Sequence, residues 1–383
     1  MKKIVIIGAG ISGLYISNLL RKNPNYEIIV YEKNNSVNLD RGYGIQLSVN
    51  SIKLLNTIGF QSINLEEKFH PDKLDFYSLQ NRKKICDLDI STFNTNEAKY
   101  TTLQRFTLIN FLKQMLPDNL INYNKKVRQI NYEAENIKVI FENNTSTKCD
   151  YLIISDGTFS KTKSLIADKE INPKYFNSIA LRATINKNNL KKMNPNNISL
   201  SLGSNLHTVL YPISNGSQFN FVSIIRKKLT AKELSDYSLF KNEGFVSSVL
   251  SEISKQVDPD IIKNLKDIRC FPIFVSSEVY QPTNKNTFLI GDAFFALPPT
   301  FAQGASQSIE VAHEIYRNLE GATDKFSNER IKRTKMINTK SKLNYFAFHL
   351  SNPLIIWVRN IIMCYLVKNR KFINAYLGKI YND

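Results

Sequence analysis

The chain has 383 residues, 43% of them hydrophobic, and a formal charge of +18. That length supports one large domain or two ordinary ones with ample core, and the apolar content excludes a disordered chain. The lysines are spread along the whole chain without a long basic block, so the charge reads first as a lysine- and asparagine-rich background. No nucleic-acid partner is expected, although a basic surface would help to attract acidic substrates.

Four cysteines (Cys86, Cys149, Cys270, Cys364) make no C-x-x-C pair, and four histidines (His70, His207, His313, His349) have no metal-ligand spacing. Neither a metal site nor a disulfide framework is expected, and a reducing compartment is the simplest reading. The first strand begins at residue 3, so no signal peptide is expected ahead of it.

Lys3-Ile4-Val5-Ile6-Ile7 is apolar and β-branched, and reads as a buried parallel strand. Gly8-Ala9-Gly10-Ile11-Ser12-Gly13 follows, then helical apolar spacing from Leu14 to Leu20. Asn23-Pro24-Asn25 breaks the chain. Residues 27–32 form a second strand-like run that ends in Glu32, 19 residues past Gly13. This is a β-α-β unit with G-x-G-x-x-G in its first turn. Gly8 allows the tight turn, Gly10 lets a pyrophosphate approach the backbone, and Gly13 lets helix and strand pack closely. The helix N-terminus offers free N–H groups to the diphosphate. Glu32 stands where a ribose-binding acid belongs. The acid argues against a 2′-phosphate at this position but does not separate NAD from FAD.

Arg41 lies in a glycine-bearing loop, where it either pairs with a phosphate or is a solvent-exposed charge. A helical run from Ser51 to Ile58 comes next. Residues 74–79 and 84–88 read as a hairpin that leaves the nucleotide-binding layer. Arg105 sits at the start of a helix over 106–116 and could hold an anion or be exposed. Strands are expected at 126–130 and 137–141. Another buried strand then ends in Asp156-Gly157.

From about residue 172 to 283, strand-like runs at 178–185, 198–202, 207–211 and 219–225 alternate with turns, and a helix is expected at 245–257. This reads as an antiparallel, substrate-facing layer. Residues 287–293 return to the first pattern, a buried strand ending in Gly291-Asp292, followed by a glycine loop and a helix from about Ser306 to Leu319. Asp292 could accept from a sugar hydroxyl, and the amides near Gly304 could hold partial negative charge. Residues 343–383 are helical, aromatic and basic. They read as a cap on the core or as an interfacial membrane helix; the longest apolar stretch, Pro353 to Val367, is interrupted by Arg359 and Asn360 and is too short and polar for a confident span.

Three separated elements, Gly8–Glu32, Asp156-Gly157 and Gly291-Asp292, now stand in one order. Together they resemble the single-component FAD-dependent aromatic hydroxylases, the family of 4-hydroxybenzoate and salicylate hydroxylases. Tyr211-Pro212 and the tail at 349–353 look most like the salicylate-hydroxylase branch. The resemblance implies an α/β fold. A Rossmann-like FAD-binding domain of the 4-hydroxybenzoate-hydroxylase type would comprise residues 1–73, 100–171 and 284–342. An inserted antiparallel-sheet substrate domain would take 74–99 and 172–283, and C-terminal helices 343–383.

It also implies site roles. Gly8, Gly10, Ile11, Ser12 and Gly13 would hold the FAD diphosphate, and Glu32 the adenosine ribose with Lys33 beside it. Arg41 and Arg105 would contact the cofactor, and the Val127 backbone would meet the adenine. Asp156-Gly157 matches a motif associated with both FAD and NAD(P)H. Gly291-Asp292 would bind the ribityl chain, while Gln303, Gly304 and Ala305 would line the pyrimidine edge of the flavin. Arg182, His207, Tyr211 and Pro299 are candidates for the substrate side; no catalytic base is assigned. The sequence departs from the family at Phe294-Phe295, where Ala-His is usual, at Ala302 for glycine, at Lys163 for arginine and at Ser306 for asparagine.

The implied activity is a monooxygenase. NADH or NADPH would reduce FAD, and O₂ would yield a flavin C4a-hydroperoxide that hydroxylates an aromatic ring or epoxidises a polyene. A halogenase of the same fold needs two neighbouring tryptophans, and this chain has only Trp357. A same-fold reductase and a non-catalytic FAD-binding or membrane-associated protein stay open. The expected partners are a small-molecule substrate and O₂, with peripheral membrane contact through the C-terminal helices. A cytoplasmic monomer or homodimer is expected, at most peripheral on the inner face of a membrane.

Overall fold

The computed structural model describes residues 1–37, 43–190, 193–321 and 326–381. A five-stranded parallel sheet lies at its centre, in the order Thr287–Leu289, Tyr151–Ile154, Lys2–Ile7, Tyr26–Tyr31, Ile121–Asn122. Lys2–Ile7 is the middle strand, and Ile4, Val5 and Ile6 are fully buried; the strand contacts the helix Ile11–Leu20 and the three-stranded antiparallel sheet Ser146–Cys149, Ile137–Phe141, Val127–Tyr132, whose Phe141 ring packs on Tyr31. The helix Ile11–Leu20 packs on it, with Gly304–Leu319 alongside. All five strands point their C-terminal ends toward one edge, where the Gly8 turn, Glu32, Asp156 and Gly291-Asp292 therefore gather.

A seven-stranded sheet forms the second layer, in the order Lys266–Val275, Lys174–Asn186, Gln218–Arg226, Leu206–Ile213, Ile198–Leu202, Lys73–Ser78, Lys84–Asp89. Every neighbouring pair is antiparallel except Ile198–Leu202 with Lys73–Ser78, which run parallel. The expected hairpin is thus present and supplies two strands to this sheet. The helix Glu243–Ser254 covers its outer face with a separate apolar cluster around Val249 and Ile253. A small sheet of Gly44–Leu47, Thr101–Gln104 and Lys68–Phe69 lies between the layers. It is anchored to the large sheet by Gly44 N–H, which donates to Asn220 Oδ1 at 2.7 Å.

Helices Phe326–Phe348, Pro353–Leu366 and Arg370–Ile373 follow, and the described residues close with the turns Asn374–Gly378 and Lys379–Tyr381. Asn352 caps the middle one, accepting from the amides of Leu354 and Ile355, and Pro353 occupies its first turn, where a missing N–H costs nothing. Cys364 Sγ donates to the Ile85 carbonyl at 3.0 Å, holding this helix against the hairpin strand Lys84–Asp89. Among the described residues no helix is long and apolar enough to cross a membrane, and no cluster of His, Cys, Asp and Glu could hold a metal.

Candidate active site

A cleft of about 370 Å³ opens at the C-terminal edge of the parallel sheet. Gly8 turns the chain at φ +105°, and a Cβ there would stand 2.6 Å from the Ser155 carbonyl oxygen. At Gly13 a Cβ would meet the Gly8 carbonyl oxygen at 2.1 Å, so the helix can lie this close to the strand only with a bare Cα. Gly10 differs: nothing lies within 4 Å of where its Cβ would be. It is the N-cap of Ile11–Leu20, and no side chain caps that helix. The first turn presents bare amides to open space, which suits a diphosphate.

Glu32 is buried at the end of its strand. Its Oε2 accepts from Ala9 N–H at 2.9 Å, and Oε1 accepts from the Asn34 amide at 3.0 Å and from Asn34 Nδ2 at 2.7 Å. The carboxylate thereby shapes the glycine loop and keeps lone pairs for a ribose hydroxyl. Lys33, Arg105 and Val127 line the same cleft, as do Asp156 and Gly157. Asp156 Oδ2 accepts from Thr162 N–H at 3.3 Å, while its buried Oδ1 has no partner. Burial raises its carboxyl above the ordinary carboxylate value. Gly157 has φ +85° and open space beside it. Lys125, Lys126 and Lys161 also line the cleft and were not singled out from the sequence. For Lys125 and Lys126 the signal was the basic pair directly before Val127; Lys161 stands four residues after Gly157. Arg41 lies outside the described residues.

Gly291 and Asp292 stand beside the glycine loop. Gly291 has φ +61°, and a Cβ there would meet Ser12 Oγ at 2.5 Å, so Ser12 and Gly291 hold the two loops together. Asp292 opens the short helix Asp292–Phe295, and its Oδ2 accepts from Thr158 Oγ1 at 3.2 Å. Burial raises its carboxyl, while Thr158 and Arg105 act in the opposite direction. Phe294 and Phe295 are buried in the core. Lys163 is buried too, and its Nζ donates to the Ala293 carbonyl at 3.1 Å, joining the Asp-Gly loop to the Gly-Asp loop.

Gln303 is the N-cap of Gly304–Leu319, again without a side-chain cap, and Ala305 lies in the first turn. Gly304 has nothing within 4 Å of an added Cβ. Gln303 is held from behind, its Nε2 3.4 Å from Ser48 Oγ and its Oε1 accepting from Gln307 Nε2 at 3.2 Å. Ser306 is fully buried, where its Oγ accepts from Ser48 N–H at 3.1 Å.

Beyond this loop lies a second cavity of about 460 Å³. Its inner end is residues 299–302 with Gln46, Tyr100 and Leu200, and its outer wall is the helix Pro353–Leu366. Pro299 and His207 line it; Arg182 and Tyr211 do not. Arg182 stacks its guanidinium over the Tyr43 ring at 5.4 Å, and Tyr211 is buried beneath Gly44, where a Cβ would stand 2.8 Å from its Cε2. His207 Nδ1 is 2.7 Å from His349 Nε2. Burial pushes the imidazole of His207 down to about 3, and burial with His207 and Arg226 nearby pushes that of His349 down to about 2. Both rings are neutral at ordinary pH.

The bare helix ends, the cationic cleft and the unpartnered Asp156 oxygen fit a dinucleotide, and the separate apolar chamber fits a second molecule. These features define a dinucleotide-binding protein with its own substrate chamber. A family model described as an FAD binding domain matches residues 1–331. The chain is 23% identical over 361 residues to a 3-amino-4-hydroxybenzoate 2-monooxygenase of Streptomyces platensis, covering 91% of this chain and 89% of that one. It is 23% identical over 321 residues to a 6-hydroxynicotinate 3-monooxygenase of Pseudomonas fluorescens, covering 83% and 82%. Among solved structures, Klebsiella pneumoniae HpxO, complexed with FAD and uric acid, aligns with TM-score 0.84 at 16% identity over 99% of this chain and 96% of that one. A salicylate hydroxylase substrate complex aligns with TM-score 0.80 at 15% identity over 100% and 95%. The chain belongs to the FAD-binding-domain family, and within it to the single-component FAD-dependent monooxygenases of aromatic-hydroxylase type.

Proposed function

We propose that the chain uses NADH or NADPH and O₂ to hydroxylate or epoxidise an electron-rich ring or double bond held in the apolar cavity. The observation that carries this reading is the loop shared by the two sites. Residues 299–302 form the inner end of the cavity and lead directly into the bare helix N-terminus at Gly304. FAD bound there would supply electron acceptance and oxygen activation. The chain's residues do the rest. The Gly10 amides, with Lys33, Lys125 and Lys161, would neutralise the diphosphate, and Glu32 would accept from the ribose. Asp292 would accept from the ribityl hydroxyls. The amides of Gly304 and Ala305, at the positive end of a 16-residue helix, would hold negative charge at the pyrimidine edge. The apolar walls would keep water from the reacting oxygen. Neutral His207 can hold a substrate hydroxyl by a hydrogen bond without carrying charge. The C-terminal helices make the peripheral membrane contact in this reading.

Anaerobic stopped-flow reduction of the bound flavin tests it, with NADH and NADPH, each with and without phenols, indoles and quinone precursors. One ligand is expected to accelerate reduction strongly, and the product formed under ¹⁸O₂ is expected to carry one labelled oxygen. A product that gains hydrogen without label would assign the chain as a reductase. A flavin that no combination reduces would assign it as a non-catalytic binding protein.

A further inference from the structure

Two observations narrow the substrate of that cavity. The first is its wall. The cavity is lined by Leu74, Phe76, Leu200 and Val209 from the large sheet and by Met363 and Phe372 from the C-terminal helices. Among the described residues lining it, Arg359 is the one lysine or arginine, and its fork is already engaged. Its NH1 donates to the Ala347 carbonyl at 3.0 Å, and its Nε and NH2 donate to Asn360 Oδ1 at 3.1 and 2.9 Å. A carboxylate placed here would be desolvated without a free cation to meet it. The two named monooxygenases take 3-amino-4-hydroxybenzoate and 6-hydroxynicotinate, each with a ring carboxylate that this lining has no free cation to meet.

The second observation is the outer wall itself. Ile355, Val358 and Ile362 line the cavity, yet they are 50%, 45% and 50% exposed to solvent. The same helix also exposes Leu354, Trp357, Ile361 and Tyr365. One turn of side chains therefore separates the cavity from a broad apolar surface, far larger than scattered surface hydrophobics. The charge on this stretch of chain has a single sign. Residues 331–381 contain ten lysines and arginines and no aspartate or glutamate, and Lys342, Lys368, Arg370 and Lys371 are exposed. An apolar helix face with Trp and Tyr, on a stretch of chain whose charges are all cationic and beside a strand whose Asp87 is paired with Lys73 and Lys84 and whose Asp89 accepts from Ser91, is complementary to the headgroup layer of an anionic bilayer. At 14 residues the helix spans about 21 Å, so it would lie in that layer rather than cross it.

We propose that the helix Pro353–Leu366 seats on an anionic phospholipid surface and is the gate through which the cavity draws its substrate, a neutral ring carrying a long apolar chain. The fate of the ring rests on the monooxygenase reading; the seat and the chain-bearing substrate class do not.

The test uses the full-length, FAD-loaded protein. Flotation with phosphatidylcholine vesicles containing a quarter phosphatidylglycerol should carry the protein at low salt, pure phosphatidylcholine vesicles much less. The double variant Trp357→Asp, Ile361→Asp, both exposed and outside the cavity lining, should retain its flavin and lose about ten-fold or more of the vesicle-bound fraction. In parallel, 4-nonylphenol should perturb the flavin spectrum at a concentration at least about ten-fold below phenol, since each buried methylene adds to transfer, and 4-hydroxybenzoate should perturb it least. Failure to float with anionic vesicles would overturn the proposal, as would tighter binding of 4-hydroxybenzoate than of 4-nonylphenol. Self-association that the double variant abolishes, without flotation, would assign the face to a second copy and overturn it equally. If flotation and titration succeed but no nicotinamide cofactor reduces the flavin, the proposal stands and the monooxygenase reading alone fails.

Discussion

Ala302 holds its backbone at φ 52° and ψ 30°, a left-handed conformation, just before Gln303 and the bare helix end. An L-residue other than Asn or Asp is strained there by about 1–2 kcal/mol. The sequence marks this position as a departure from glycine; the backbone supplies the reason glycine is usual. Ala302→Gly is expected to stabilise the protein by about 1 kcal/mol, read as a higher urea midpoint. An unchanged midpoint would mean the loop absorbs the strain. Glu32 is the second case. Glu32→Gln exchanges a carboxylate that organises Ala9 and Asn34 for an amide that can accept through only one atom. FAD affinity is expected to fall roughly ten-fold, about 1.4 kcal/mol, by fluorescence titration. The substrate side was less legible. Alternation along Leu206–Ile213 puts His207, Val209 and Tyr211 on one face, but only the first two reach the cavity. Tyr211 slips under Gly44, a contact set by a strand more than 160 residues away in sequence that no local pattern encodes.

The helix Gly304–Leu319 is fastened at its middle by a buried ionic cluster. Arg330 is almost completely buried; it donates to Gln307 Oε1 at 2.8 Å, to Glu310 Oε2 at 3.1 Å and to Glu314 Oε2 at 2.8 Å. Arg333 adds bonds to Glu310 and to the carbonyls of Lys379 and Ile380. Gln307 in turn touches Gln303, so the cluster links the helix N-terminus to the chain's last described turn. Arg330→Leu leaves Glu310 buried beside one cation instead of two and should cost about 3–5 kcal/mol, measured by chemical denaturation. The companion change Glu310→Leu in the same chain should recover part of that loss. Elements of this kind were legible where the pattern is local. The glycine loop, its helix and the strand ending in Glu32 fall where the spacing puts them, and Gly304–Leu319 begins only two residues before the expected start. The partnership of Arg330 with Glu310 was not, because charged residues at helical spacing usually face solvent. Nor was the parallel pairing of Lys73–Ser78 with Ile198–Leu202, whose register is set by chain crossing between layers.

At the scale of the whole molecule, all four histidines are held below their ordinary value, mainly by burial. The unfolded chain takes up protons on them as pH falls through about 6.5, and the folded chain resists, so stability is complete above that pH and declines below it. His207 and His349 keep their protons off down to about 3 and about 2. Each should therefore remove about 1.4 kcal/mol per pH unit below 6.5. Urea unfolding at pH 7.5 and 5.5 should show the loss, and His207→Gln should show a smaller one; equal losses would place the acid sensitivity elsewhere. The sheet order carries a consequence for synthesis. The strand Thr287–Leu289 completes the central sheet against Tyr151–Ile154, so the chain through residue 289 must leave the ribosome before the nucleotide fold can close. At 5–20 residues per second, the glycine loop waits roughly 15–55 s for its opposite edge. Flavin can meet both edges of its cleft only after that interval, so until then the glycine loop stands beside an unfinished sheet.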